Sequence, residues 1–188
     1  ELSVRDVSVL EKIKKFLKAD NEIHYRTRTH SVTGTVSTNC ILTICRKKMC
    51  EDLAKLGIGP NKSKELKLPP IKNELIPHFL RGLVCSDGSF CISEMNDIMF
   101  TLVCPVIDIL EEFQNILIKK YNFERTNITF KRGCFKFRCN GNLQVRKIFE
   151  YLYPDDMGDA YLDRKYNYCK QHFYNLDNGI KSRIKGDP

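Results

Sequence analysis

Leu75-Ile76-Pro77-His78-Phe79-Leu80-Arg81-Gly82-Leu83-Val84-Cys85-Ser86-Asp87-Gly88-Ser89-Phe90 is the stretch on which the fold turns. Apolar residues at 75, 76, 79, 80, 83 and 84 form one stripe at helical spacing, and Pro77 is tolerated because it stands in the first turn. Gly82 is unfavourable inside a helix and predicts the close approach of another helix backbone. The spacing predicts a helix over 74–86 that ends at Asp87-Gly88, with a strand starting at once. A carboxylate at a helix C-terminus opposes the local dipole, and a bound cation would compensate it. Taken alone, Asp87 reads more simply as a solvated residue in an Asp-Gly turn.

On either side of this helix lies a repeat. Leu10-Glu11-Lys12-Ile13-Lys14-Lys15-Phe16-Leu17 falls on Leu110-Glu111-Glu112-Phe113-Gln114-Asn115-Ile116-Leu117 at an offset of 100, and both are amphipathic. Cys40-Ile41-Leu42-Thr43-Ile44-Cys45 falls on Cys134-Phe135-Lys136-Phe137-Arg138-Cys139 at an offset of 94, each a strand-like run before a helix, 46–56 and 141–152. Further strands are expected at 22–28 and 125–131. The second copy starts earlier, with the 74–86 helix and strands 88–94 and 97–104 ahead of its 106–120 helix. In the first copy only a strand stub at Glu1–Val4 stands there, and Leu2 corresponds to Leu102. The expected fold class is α+β, a duplicated αββαββα unit whose first copy continues upstream of Glu1. The expected organisation is a partial first copy at 1–56 and a linker at 57–73 containing Gly57, Gly59, Pro60, Pro69 and Pro70. A second copy with a C-terminal helix (160–174) fills 74–176, and a polar tail occupies 177–188.

The 188 residues carry 31 Lys+Arg against 23 Asp+Glu, a formal net charge of +8. Residues 23–50 hold Arg26, Arg28, Arg46, Lys47 and Lys48 with no acid. Residues 125–149 hold Arg125, Lys131, Arg132, Lys136, Arg138, Arg146 and Lys147, again with no acid. Two basic patches on equivalent hairpins point to a polyanion. At 42% hydrophobic and 29% charged the composition is that of a globular protein, with no apolar run near the roughly 20 residues of a membrane span. Nine cysteines show no zinc-finger spacing and are expected to be free thiols in an intracellular, reducing compartment, whether cytoplasm, nucleoid or organelle.

Leu80-Arg81-Gly82-Leu83-Val84-Cys85-Ser86-Asp87-Gly88 resembles the LAGLIDADG motif of homing endonucleases, and His78-Phe79 extends it in a form common there. The stretch from Asp52 to Ser63 resembles the family's inter-repeat segment, and Tyr161-Leu162-Asp163-Arg164-Lys165 its post-repeat segment. The duplicated αββαββα unit is the family's fold. The resemblance implies a site-specific, metal-dependent double-stranded DNA endonuclease of the intron or intein homing type. Asp87 would bind Mg²⁺ or Mn²⁺ with help from the Ser86 carbonyl, and Lys62 and Lys165 fall on the family's basic active-site positions. Cys85 stands where the motif has its first acid, and the paired acid would come from an upstream segment or a second chain.

The resemblance also implies sheets lying in the DNA major groove. Strand alternation groups His24, Arg26 and Arg28 on one face, Ser89, Cys91 and Ser93 on another, and Asn127, Thr129 and Lys131 together, with Lys136 and Arg138 sharing a run. Such faces mix phosphate and base-edge contacts. Two other readings stay open: a non-catalytic DNA- or RNA-binding module with the same fold, such as a maturase or regulator, and a plain interaction domain. A second motif helix upstream of Glu1 would favour the nuclease.

Overall fold

A computed structural model of the chain describes residues 1–59, 67–155 and 158–180. Its contacts gather into two compact units, Glu1–Lys47 with Gly158–Asp163, and the rest of the described chain. The first holds β1 (Leu2–Ser3), a 3-10 turn (Val4–Asp6), α1 (Val7–Phe16), β2 (Ile23–Thr29) and β3 (Val36–Leu42), in an antiparallel sheet of order β1-β3-β2. The second holds α3 (Ile76–Asp87), β4 (Gly88–Ile92), β5 (Ile98–Cys104), α4 (Ile107–Tyr121), β6 (Ile128–Lys131), β7 (Cys134–Asn140), α5 (Asn142–Leu152) and all of α6 (Asp163–Asp177) but Asp163. Its antiparallel sheet has the order β4-β5-β7-β6. The helix α2 (Lys47–Lys55) follows β3 as α5 follows β7. The chain is thus α+β, with helix, strand, strand, helix recurring and β1 pairing with β3 as β5 pairs with β7.

β4, β6 and α6 differ in their bounds from the expected 88–94, 125–131 and 160–174, and two further departures change the repeat alignment. The strand expected from Cys40 is β3 at Val36–Leu42, because Val36-Ser37-Thr38-Asn39 pairs along β2 although it carries little apolar signal. The repeat alignment shifts with it. Leu2 pairs with Cys40 and Leu102 with Phe137, so Cys40 corresponds to Phe137, an offset of 97 and not 94. An odd slip turns a strand over. Cys40 and Phe137 are both fully buried, whereas Cys134, its partner in the sequence alignment, is not.

In the second unit, Phe90 from β4, Phe100 from β5, Phe113 from α4 and Phe137 from β7 meet with ring centroids 5.0–6.3 Å apart, and all four are buried. These inward residues alternate along the strands with outward ones, polar on β7 (Lys136, Arg138, Asn140) and mixed on β5 (Met99, Thr101, Val103), so the sheet reads with a period of two. The β6–β7 turn is Arg132-Gly133, both at positive φ (54° and 82°), as a two-residue hairpin needs.

The passage from α3 into β4 depends on Gly88. A Cβ there would lie 2.7 Å from the Val84 carbonyl oxygen and 2.9 Å from Val84 Cα. Backbone atoms cannot swing aside as a side-chain tip can. Gly88→Ala is therefore expected to destabilise by about 3 kcal/mol, the upper end for overpacking, lowering the thermal midpoint by roughly 6–12 °C. An unchanged melting curve would mean the helix end is looser than described.

The β4–β5 turn is held from behind. Asn142 Nδ2 donates to the Asn96 carbonyl (3.1 Å) and Asp97 Oδ1 (3.0 Å), while its Oδ1 accepts from Ile98 N–H (3.2 Å) and His172 Nε2 (2.7 Å). His172 is fully buried, and burial, then the charge of Arg146, pushes its pKa down against the opposing pull of Asp97. A base whose native pKa is lowered is stabilising above its unfolded value. That contribution is lost as pH falls from about 6.5 toward the native value. The thermal midpoint should drop between pH 7.5 and 5.5, and drop less in His172→Gln; equal drops would place the acid sensitivity elsewhere.

Candidate functional site

The end of α3 is built from backbone. Val84 O accepts the Gly88 N–H that closes the helix. Ser86 and Asp87 are both exposed, and the Ser86 hydroxyl lies 3.0 Å from the Leu83 carbonyl and 3.0 Å from Asp87 Oδ2. Lys165, from α6, is only 4% exposed, and its ammonium donates to the carbonyls of Val84 (2.8 Å), Cys85 (2.8 Å) and Gly88 (2.5 Å). The cation that the dipole of α3 calls for is thus already there, as a side chain. The electrostatic case for a metal at this helix end loses its force, and what remains is an exposed carboxylate at a defined corner. Burial pushes the Cys104 thiol up against the pull of a backbone hydrogen bond at Val106, and the Asp87 charge adds to the rise.

The donor chemistry suits a hard divalent cation: one carboxylate, with backbone carbonyl oxygen beside it. The number of donors does not suffice. Among the described residues no three His, Cys, Asp or Glu side chains gather as a metal site, so the corner at Asp87 is at most half of one. Gly82 gives a parallel result. A Cβ there would meet nothing within 4 Å, so the close helix partner expected at Gly82 is not supplied by the described residues. Gly82 and Ser86 lie exposed on α3, and Leu75 is exposed just ahead of it.

The ladder registers sort the other candidates. In the first sheet Arg26 pairs with Asn39, Arg28 with Ser37 and His24 with Ile41, so His24, Arg26 and Arg28 share one face, opposite Cys40. Asn39 donates to Glu1 (2.9 Å), and this bond, followed by the charges of Arg28 and Arg26, holds the Glu1 carboxyl below its ordinary value. In the second sheet Ser89, Thr101 and Arg138 form one row across three strands, Cys91, Met99 and Asn140 another, and Val103, Lys136 and Thr129 a third. Lys131 pairs with Cys134 and continues that face. The two runs read separately from the sequence, around Thr129 and around Lys136, are one surface.

No protein-family model matches the sequence, and no curated protein matches it either. The crystal structure of the LAGLIDADG meganuclease I-AabMI bound to uncleaved DNA is similar to this chain at 19% identity. It covers 95% of this chain and 79% of its own, with a TM-score of 0.49. That of the I-LtrWI LAGLIDADG homing endonuclease bound to target DNA is similar at 14% identity over 94% and 78%, with a TM-score of 0.46. Both are LAGLIDADG endonucleases holding DNA. The duplicated topology of the present chain rests on its own strand pairings.

Against the LAGLIDADG-like motif the remaining candidates fall unevenly. Ser93 sits in the β4–β5 turn, where its hydroxyl accepts the Asp97 N–H (3.2 Å). It lines a shallow hollow of ≈ 380 Å³ with Cys91, Met99, Arg138 and Asn140. Asn127 is exposed just before β6. Lys62 lies outside the described residues. The sequence reading missed Asn39, Ser37, Thr101 and Asn140, which face outward beside the predicted residues. Running the alternation on from Lys136 and Arg138 would have reached Asn140; Asn39 was hidden by the misplaced start of β3.

Proposed function

We propose that this chain is the DNA-binding body of a LAGLIDADG-type, site-specific double-stranded DNA endonuclease, working in a reducing intracellular compartment. The observation that carries the reading is the register of the second sheet, which gathers Ser89, Cys91, Thr129, Lys131, Lys136 and Arg138 on one outward face while the aromatic core fills the other. Lys and Arg would take phosphates; Arg138 and Asn140, joined by an Nε–Oδ1 contact of 3.3 Å, have the fork and amide that read purine edges. The equivalent face of the first sheet, with His24, Arg26, Arg28 and Asn39, supports a second half-site. Nine free thiols support the reducing compartment.

Asp87 and the Ser86 carbonyl would hold Mg²⁺ or Mn²⁺. Such an ion, when bound, activates water and neutralises charge on the departing oxygen. The chain's own part is to present one carboxylate at a rigid corner. An upstream segment or a second chain, packed on the open side of α3 at Gly82, would bring the other acid. The 188-residue chain is accordingly expected to bind duplex DNA and to cleave poorly or not at all. Selection of duplexes from a random pool, followed by Mg²⁺-dependent cleavage with an N-terminally extended protein, tests this. No enriched sequence would sink the DNA reading; enrichment without cleavage would favour a binding module.

A further inference from the structure

Buried lysine ammonium groups are costly unless hydrogen-bonded, because the low-dielectric interior replaces their water poorly. Lys165 meets that demand in an unusual way. Its three N–H donors go to carbonyls on both sides of a two-residue corner: Val84 and Cys85 before Ser86-Asp87, Gly88 after it. A side chain from a separate helix thereby clamps the last turn of α3 to the first residue of β4. A lysine acting on a phosphate or its water would keep a donor turned outward. Here all three have an inward acceptor.

We propose that Lys165 is a positioning residue for Asp87, fixing the direction in which that carboxylate leaves the helix, and that it acts through backbone carbonyls without touching DNA. The proposal rests on the reading of Asp87 as a metal-binding acid. It reassigns the role that family resemblance suggests for Lys165. The cation is retained, at the helix end where the dipole is negative, but its effect on chemistry passes through the placement of Asp87.

A purely structural lysine would behave differently, and the same helix supplies the control. Arg81 is 3% exposed, and its Nη1 donates to the Leu152 carbonyl at 2.9 Å while Nη2 donates to His78 Nδ1 at 2.8 Å. Arg81→Met breaks a buried cation–carbonyl bond from α3 to Leu152 of α5, six residues ahead of Asp87. The full chain, ¹⁵N-labelled, is compared as wild type, Lys165→Met, Lys165→Arg and Arg81→Met, each at the same interval below its own unfolding midpoint. Two readouts are taken, amide exchange at Gly88 and the Mn²⁺ concentration that broadens the amides of residues 86–88. In Lys165→Met, Gly88 exchange should quicken by about tenfold or more, the scale of a lost charge-assisted bond. The Mn²⁺ requirement should rise by a similar factor, Lys165→Arg should recover part of both, and Arg81→Met should change neither. Unchanged values in Lys165→Met, or equal changes in Arg81→Met, would overturn the proposal. Should Lys165→Met not fold, Lys165→Arg carries the same comparison, since a planar fork cannot face three carbonyls as an ammonium does. Absence of Mn²⁺ broadening in the wild type would remove the metal reading of Asp87, and Gly88 exchange would still decide whether Lys165 sets the corner.

Discussion

Asp87→Asn is expected to abolish metal-dependent cleavage in a protein that carries both motif helices while leaving duplex affinity almost unchanged. Asparagine keeps the size and can still accept from the Ser86 hydroxyl, which lies 3.0 Å from Asp87 Oδ2. The corner should therefore hold its shape. What disappears is the negative charge that would bind a divalent cation, and the loss should fall on the rate, by about 10³-fold or more, the scale of removing one preorganised stabiliser of developing charge. The stability change should be small, because the Lys165 ammonium at this helix end already offsets the dipole that a carboxylate there opposes. Cleavage kinetics, duplex affinity and thermal midpoint of the two proteins together decide the matter. Full activity in the variant removes Asp87 from the chemistry, and an equal fall in affinity makes it a binding residue.

Affinity of the 188-residue chain for its selected duplex is expected to collapse with salt. If Arg26, Arg28, Lys131, Lys136 and Arg138 each displace a counterion from a phosphate, the logarithmic slope is about −4.5. Affinity then falls roughly 500-fold between about 50 and 200 mM salt. Arg26→Ala and Lys136→Ala should each weaken binding and lower the slope by about one. The two lie on different sheets but face outward in the same way, paired with Asn39 and with Thr129. A flat salt dependence, or two silent variants, would show that the outward faces are not the DNA surface.

The helices were the most legible part of the sequence. Val9-Leu10 and Ile109-Leu110, which the offset of 100 aligns, are buried in both copies, because a helix against a sheet needs one apolar stripe and writes it plainly. The ribbons were harder. All of β2 after Ile23 is exposed on both faces, so its hydrophobic pattern is weak and the start of β3 was read four residues late. The corner at Asp87 was found by its motif, but its electrostatics were not. Nothing local to residues 74–88 announces that a lysine some eighty positions later supplies the balancing charge. Long-range capping of this kind leaves no periodic trace.

The two hairpins also differ in a way that bears on symmetry. Arg132-Gly133 joins β6 to β7 in the tightest turn a hairpin allows, whereas the longer loop 30–35 joins β2 to β3. A palindrome would present identical halves to two hairpins of unequal loop length and unlike side chains. The preferred duplex should therefore have no internal dyad, and exchanging its halves should cost affinity even though every base pair is kept.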